Sequence, residues 1–191
     1  MKRLACLLYA LAAMSPSLPA ATISYVADLN GANESPAAAS PGVGTAWVTV
    51  DNVSHTMRVR VVFSGLLALN TASHIHCCTS VPGTGTAGVA TMTPTFLGFP
   101  TGATEGAYDR TFDTTDFQTY RASFLAANGG TAAGAEAALF AGLANGTSYL
   151  NIHTSIYPGG EIRGFLQEVP EPATYALAGV ALLALAIRRR L

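Results

Sequence analysis

The sequence predicts a mainly β protein: an antiparallel β-sandwich with a small helical insertion. Apolar and polar residues alternate through short runs, most clearly in Met57-Arg58-Val59-Arg60-Val61. Clusters of Gly, Pro, Asn and Asp separate those runs, and helical spacing is confined to about Asp116–Leu143. A period of two marks a half-buried strand and a period near 3.6 a helix. Short alternating strands divided by turns build sandwiches or barrels.

Taken in order, Thr22 to Leu29 reads as a first strand, with Ile23, Tyr25 and Ala27 on one face. Asn30 to Gly42, which holds Pro36 and Pro41, reads as a loop. Gly44 to Val50 alternates around Ala46, Val48 and Val50, and Asp51 to Ser54 makes a turn. Thr56 to Phe63 returns as a strand, with Met57, Val59, Val61 and Phe63 facing one way and Arg58 and Arg60 the other. Ala72 to Cys77 is a further strand, followed by the Gly/Thr/Pro-rich loop Thr79 to Gly88; Val89 to Thr93 and Ala107 to Phe112 are shorter strands. Asp116 to Ala126 predicts a helix, with Phe117, Tyr120 and Phe124 at helical spacing, and Ala132 to Leu143 a second one. Asn145-Gly146 makes a sharp turn into a strand from Ser148 to His153, and Gly160 to Gln167 closes the domain as a strand.

Half of the 191 residues are hydrophobic, and the excess lies at the two ends. Lys2 and Arg3 precede an apolar run from Leu4 to Met14, and small residues with prolines lead to Ala20-Ala21. That order is the pattern of a secretory signal peptide over residues 1–21, with the mature chain starting near Thr22. The run is too short to span a bilayer. At the other end Val169-Pro170-Glu171-Pro172 precedes an apolar stretch from Ala173 to Ile187, closed by Arg188, Arg189 and Arg190. Such a stretch reads as a short transmembrane helix with its arginines in the cytoplasm and the domain outside. These parts, in this order, resemble the PEP-CTERM sorting tag of Gram-negative bacteria; against a plain anchor, the Pro170-Glu171-Pro172 triplet is what discriminates. The resemblance implies an inner-membrane intermediate, cleavage by an exosortase and delivery to the cell surface or extracellular matrix.

Residues 22–168 remain as one domain. They contain no lysine, and their acidic residues outnumber their arginines. Phosphate backbones require a basic patch, so nucleic acid is excluded as a partner. Cys6 leaves with the signal, and the adjacent Cys77 and Cys78 cannot staple distant strands.

Three segments stand out within the domain: Leu29-Asn30-Gly31-Ala32-Asn33-Glu34-Ser35-Pro36, Ser73-His74-Ile75-His76, and Tyr149–Thr154 with Pro158–Gly164. In identity and order they resemble the CHRD domain, named for its occurrence in chordin. The resemblance implies an Ig-like or superoxide-dismutase-like β-sandwich module of a secreted or surface protein. Where the family commonly continues His-Ile-His with Gly-Pro, this chain has Cys77-Cys78.

On a strand, His74 and His76 point to the same side, and imidazoles so placed can share one ion at about 2 Å. His153, on another predicted strand, is a candidate third ligand, which points to copper or zinc. The affinity expected of ordinary histidines would fall as pH drops through about 6.5. The alternative for these rings is plain hydrogen bonding to backbone or carboxylates, with Asn151 and Glu161 at hand. Cys77 and Cys78 offer either a vicinal disulfide or soft metal ligands. Glu161 and Arg163, two apart on the closing strand, suggest a cross-strand ion pair beside Arg58 or Arg60, or an arginine that steers anions to a metal. His55 is expected at a hairpin tip, away from the other histidines.

The run Gly83-Thr84-Gly85-Thr86-Ala87-Gly88 fits G-x-G-x-x-G, but no helix is predicted after it, so it is no phosphate cradle. The carboxylates are too scattered for a catalytic dyad, and no G-x-S-x-G elbow is present. The sequence therefore favours a non-enzymatic surface or matrix module that binds proteins, glycans or itself. The second expectation is a copper- or zinc-binding domain, with a superoxide-dismutase-like redox enzyme as its catalytic form.

Overall fold

A computed structural model describes residues 22–170. The signal segment, Cys6, Glu171, Pro172, Arg188, Arg189, Arg190 and the expected terminal helices lie outside those residues. In chain order the domain comprises β1 (Ile23–Asn30), β2 (Val43–Asp51), β3 (Thr56–Ser64), β4 (Asn70–His76) and β5 (Gly106–Asp113). Then come the helices α1 (Ala122–Ala127) and α2 (Ala132–Ala144), and the strands β6 (Tyr149–Thr154), β7 (Ile162–Phe165) and β8 (Gln167–Val169). Among the described residues no helix is long and apolar enough to cross a membrane.

Alternation decides which side of each strand is buried. In β3, Met57, Val59, Val61 and Phe63 are buried, while Arg58, Arg60 and Val62 are exposed. Tyr25, Ala27 and Leu29 of β1 and Ala46, Val48 and Val50 of β2 join them in one core, together with Tyr108 and Phe112 of β5. On the outer side Arg58 grips Asp109 with two hydrogen bonds of 2.8 and 2.6 Å, and Arg60 lies 5.2 Å over the Trp47 ring.

The chain forms the mainly β, antiparallel class expected of it, but not two facing sheets. All the strands belong to one curled sheet, a half-barrel, in the order β4-β6-β7-β1-β2-β3-β5, with β8 also on β1. The reason lies in β1, which bonds to β2 along one edge and to β7 and β8 along the other. That double pairing links what would otherwise be two layers. The closing strand is likewise divided: Leu166 turns into the core with no exposed surface, so β7 pairs with β6 while β8 pairs with β1. Val89–Thr93 makes only isolated bridges, His76 with Val89 and Thr91 with Tyr120, because its backbone shares its bonds between Ile75 and Thr119.

Ala132 to Leu143 forms α2 as expected, but the helix expected over Asp116 to Ala126 is shortened. Asp116 caps a 3-10 turn at Phe117–Thr119, Tyr120 and Arg121 are extended, and only α1 (Ala122–Ala127) is helical, which leaves Phe117 exposed. Thr131 caps α2 by accepting from the Gly134 amide at 3.1 Å, and Ala135, Leu139, Gly142 and Leu143 bury one side of the helix. Gly146, at φ 64°, ends it in the left-handed conformation that relieves the last carbonyls, its amide donating to Leu143.

Candidate metal centre

Strands β4, β6 and β7 form one end of the sheet, and their two sides differ in chemistry. Ile75, Leu150, Ile152 and Ile162 face the core with no exposed surface. The opposite side carries His74 and His76 of β4, Tyr149, Asn151 and His153 of β6, and Arg163 and Phe165 of β7. Register sets them in rows: His76, Tyr149 and Phe165 lie in one, and His74, Asn151 and Arg163 in the next. This polar side is buried too, with His74 6%, His76 8%, Asn151 1% and Arg163 4% exposed.

The loops over this side fix each histidine. His74 Nε2–H donates to the Pro94 carbonyl at 2.8 Å. His76 Nδ1–H donates to Ala87 at 2.9 Å, and His153 Nδ1–H to Pro158 at 2.9 Å. A carbonyl can only accept, so each of those ring nitrogens carries the proton and each partner nitrogen presents a lone pair. The remaining nitrogens, His74 Nδ1, His76 Nε2 and His153 Nε2, can then ligate together, and the group lies within 4.8 Å of one another. His74 Nδ1 and His153 Nε2 are 3.2 Å apart. Two nitrogens bound at about 2 Å to one tetrahedral ion stand about 3.3 Å apart. His76 Nε2 is buried with no hydrogen-bond partner in the protein.

Burial sets the charge state of this group. Desolvation, with the neighbouring His153 adding to it, pushes His74 down to about 4. Desolvation likewise brings His76 to about 4, and His153 is lowered by the same cause. The rings are therefore neutral, the form that coordinates a metal.

The surrounding residues correct two expectations. Arg163 pairs not beside Arg58 or Arg60, which meet Asp109 on the outer side, but with Glu34 at 3.7 Å. Its Nε donates to the Asn33 carbonyl, and its guanidinium lies 4.7 Å over the Tyr149 ring, against which His76 stacks at 4.8 Å. Glu161 takes no part in that pair. It is fully buried and accepts from Ser40 Oγ and the Leu67 amide at 2.6 Å each and from Thr154 Oγ1 at 2.7 Å. Burial raises the Glu34 carboxyl to about 7, against the lowering influence of Arg163.

Cys77 and Cys78 are bonded to each other, and both sulfurs face the Ala138 carbonyl of α2. With each sulfur spent on the other, neither offers a thiolate. His55 lies in the β2–β3 turn, and its Nδ1 stands 3.0 Å from the Glu136 carboxylate of α2. Pro170 is the last described residue and directly follows β8.

Sequence reasoning missed the three loop carbonyls and the Glu34–Arg163 pair. It treated Asn151 only as a partner for histidine, although the spacing Tyr149-x-Asn151-x-His153 places it between ring-bearing residues on one side of β6. The three segments that stood out in the sequence all meet here: Asn33 and Glu34, His74 and His76, and His153 with Arg163.

No curated protein and no solved structure matches the chain. Residues 168–190 match the PEP-CTERM protein-sorting motif, which implies an exported protein, processed by an exosortase and sorted to the cell surface. Residues 25–166, the stretch holding every strand and loop that builds the histidine cluster, match the CHRD domain, and the chain belongs to that family.

Proposed function

We propose that this domain is a non-catalytic metal-binding module of the cell surface or extracellular matrix, holding Cu(II) or Zn(II) between His74, His76 and His153. One observation carries the reading: three neutral imidazoles, each with one nitrogen committed to a loop carbonyl, bring their other nitrogens together in a buried place. Carbonyl partners of this kind fix the tautomer and orient a ligating ring. In this reading the signal peptide covers residues 1–21, the domain 22–168 and the sorting tag 169–191. The delivered module then meets matrix proteins, glycans or further copies of itself. A copper redox enzyme has less support, since His55 is occupied by Glu136 on α2.

Titration of Cu(II) and Zn(II) into the mature protein tests the reading. The wild type and a His55→Ala variant should bind one equivalent alike, and a His74→Ala/His76→Ala variant should lose at least a hundredfold in affinity. Equal binding by the double variant would make the cluster purely structural. Copper-loaded protein that accelerates superoxide decay would return the redox enzyme to first place.

A further inference from the structure

We propose that Asn151 supplies a fourth ligand through its side-chain Oδ1, making the centre a three-nitrogen, one-oxygen site. The proposal rests on the metal-binding reading of the histidine cluster and adds to it a residue, a donor atom and a preference among oxidation states.

Position is the first argument. Asn151 lies directly opposite His74 in the β4–β6 register, two residues from His153 on the same strand, and diagonal to His76. Side chains two apart on a strand and directly across a ladder are the nearest neighbours a sheet provides. Asn151 is thus the one residue adjacent to all three rings on that side of the sheet.

Hydrogen bonding is the second. Asn151 Nδ2 donates to the Gly159 carbonyl at 3.4 Å, while Oδ1 is buried with no partner in the protein. Exchanging the two ends of the amide would set its oxygen against the Gly159 carbonyl, so the donor contact fixes which way the oxygen points. His76 Nε2, likewise buried without a partner, belongs to the ring diagonal to that amide, close enough for Asn151 to raise the ring's proton affinity. Buried acceptors without donors are costly. Asparagine is also a poor strand former, yet here it occupies the middle of β6 with 1% exposure. A cation held jointly by the amide oxygen and the ring nitrogens removes that cost.

Other candidates for a fourth ligand are less suited. The Cys77 and Cys78 sulfurs are bonded to each other and Glu161 is saturated by three donors. Glu34 keeps one oxygen without a hydrogen-bond partner, but it lies outside the group whose ligand atoms converge within 4.8 Å, and its other oxygen faces Arg163. Three imidazoles and an amide oxygen form a borderline-to-hard set without a thiolate or thioether. Such a set favours Cu(II) and Zn(II) over Cu(I).

The test compares copper binding by the mature wild type with that by Asn151→Leu, which fills similar space without an acceptor, and Asn151→Asp, which keeps the shape and adds a carboxylate. Circular dichroism first establishes that each variant is folded. Asn151→Leu should weaken Cu(II) binding ten- to a hundredfold and alter the copper hyperfine splitting in electron paramagnetic resonance. Asn151→Asp should bind at least as tightly as wild type, with a spectrum distinct from both. Wild type should also prefer Cu(II) to Cu(I) in competition titrations. Leucine and aspartate variants whose affinity stays within twofold of wild type, with unchanged spectra, would overturn the proposal. If the leucine variant does not fold, the aspartate spectrum decides alone, and identity with wild type overturns it. A wild type that binds no copper or zinc would remove the histidine reading itself, an outcome distinct from losing only Asn151.

Discussion

His74 and His76 remain neutral through the range where an exposed histidine titrates, because burial has brought both to about 4. In an unfolded chain the same rings take up protons near 6.5. Between those values the unfolded state binds more protons, so stability contributed by the neutral rings is complete above about 6.5 and is lost as pH falls toward 4. Metal-free protein should therefore need less urea to unfold at pH 5 than at pH 7, and a His74→Gln/His76→Gln variant should lose most of that difference. An equal pH dependence in the variant would place its origin elsewhere. Protons should compete for the copper site only below about pH 5, lower than the value near 6.5 that unburied histidines would give, and copper titrations at pH 7, 6 and 5 measure this. The pairing of His74 with His76 was legible because a strand's period of two is local. The ring tautomers were not, because Pro94, Ala87 and Pro158 reach the rings through loops whose paths depend on the whole fold.

Helix α2 was legible for a similar reason: the alanine content of one stretch suffices to predict it. What it packs against was not. Gly142 on this helix approaches the disulfide so closely that a Cβ there would overlap the sulfurs of both Cys77 and Cys78 and would meet Ser148 Oγ at 2.8 Å. Gly142→Ala should cost about 2 kcal/mol of stability by overpacking, read as a lower urea midpoint. Gly159→Ala, where a Cβ would meet nothing within 4 Å, should change that midpoint little. Equal effects at the two positions would refute the steric account. The division of the last strand at Leu166 was beyond the sequence as well. An apolar residue in an alternating run fits a continuous strand as readily as a break that turns into the core.

At the scale of the molecule, the two chain ends of the domain lie side by side, with Ser24 paired to Val169. Intact-mass measurement on protein taken from the host's surface should find a chain beginning near Thr22 and ending near Val169. Recovery of residues 175–191 in that material would show a permanent anchor. The alternation that predicted strands carried no information on how many sheets they form, since that depends on which strands share an edge. Here β1 holds a central place in the sheet, and on one side its partners are the last residues of the domain. A chain exported from its N-terminus delivers β1 early and residues 162–169 late, so one edge of β1 stays bare until translocation is nearly complete. Contacts between first and last residues are the slowest for a chain to make, and an unpaired edge is where strands of different chains adhere. The pairing order thus sets a clock: the seam closes only once the domain has crossed, and the interval before closure is when crowding by other copies is most hazardous.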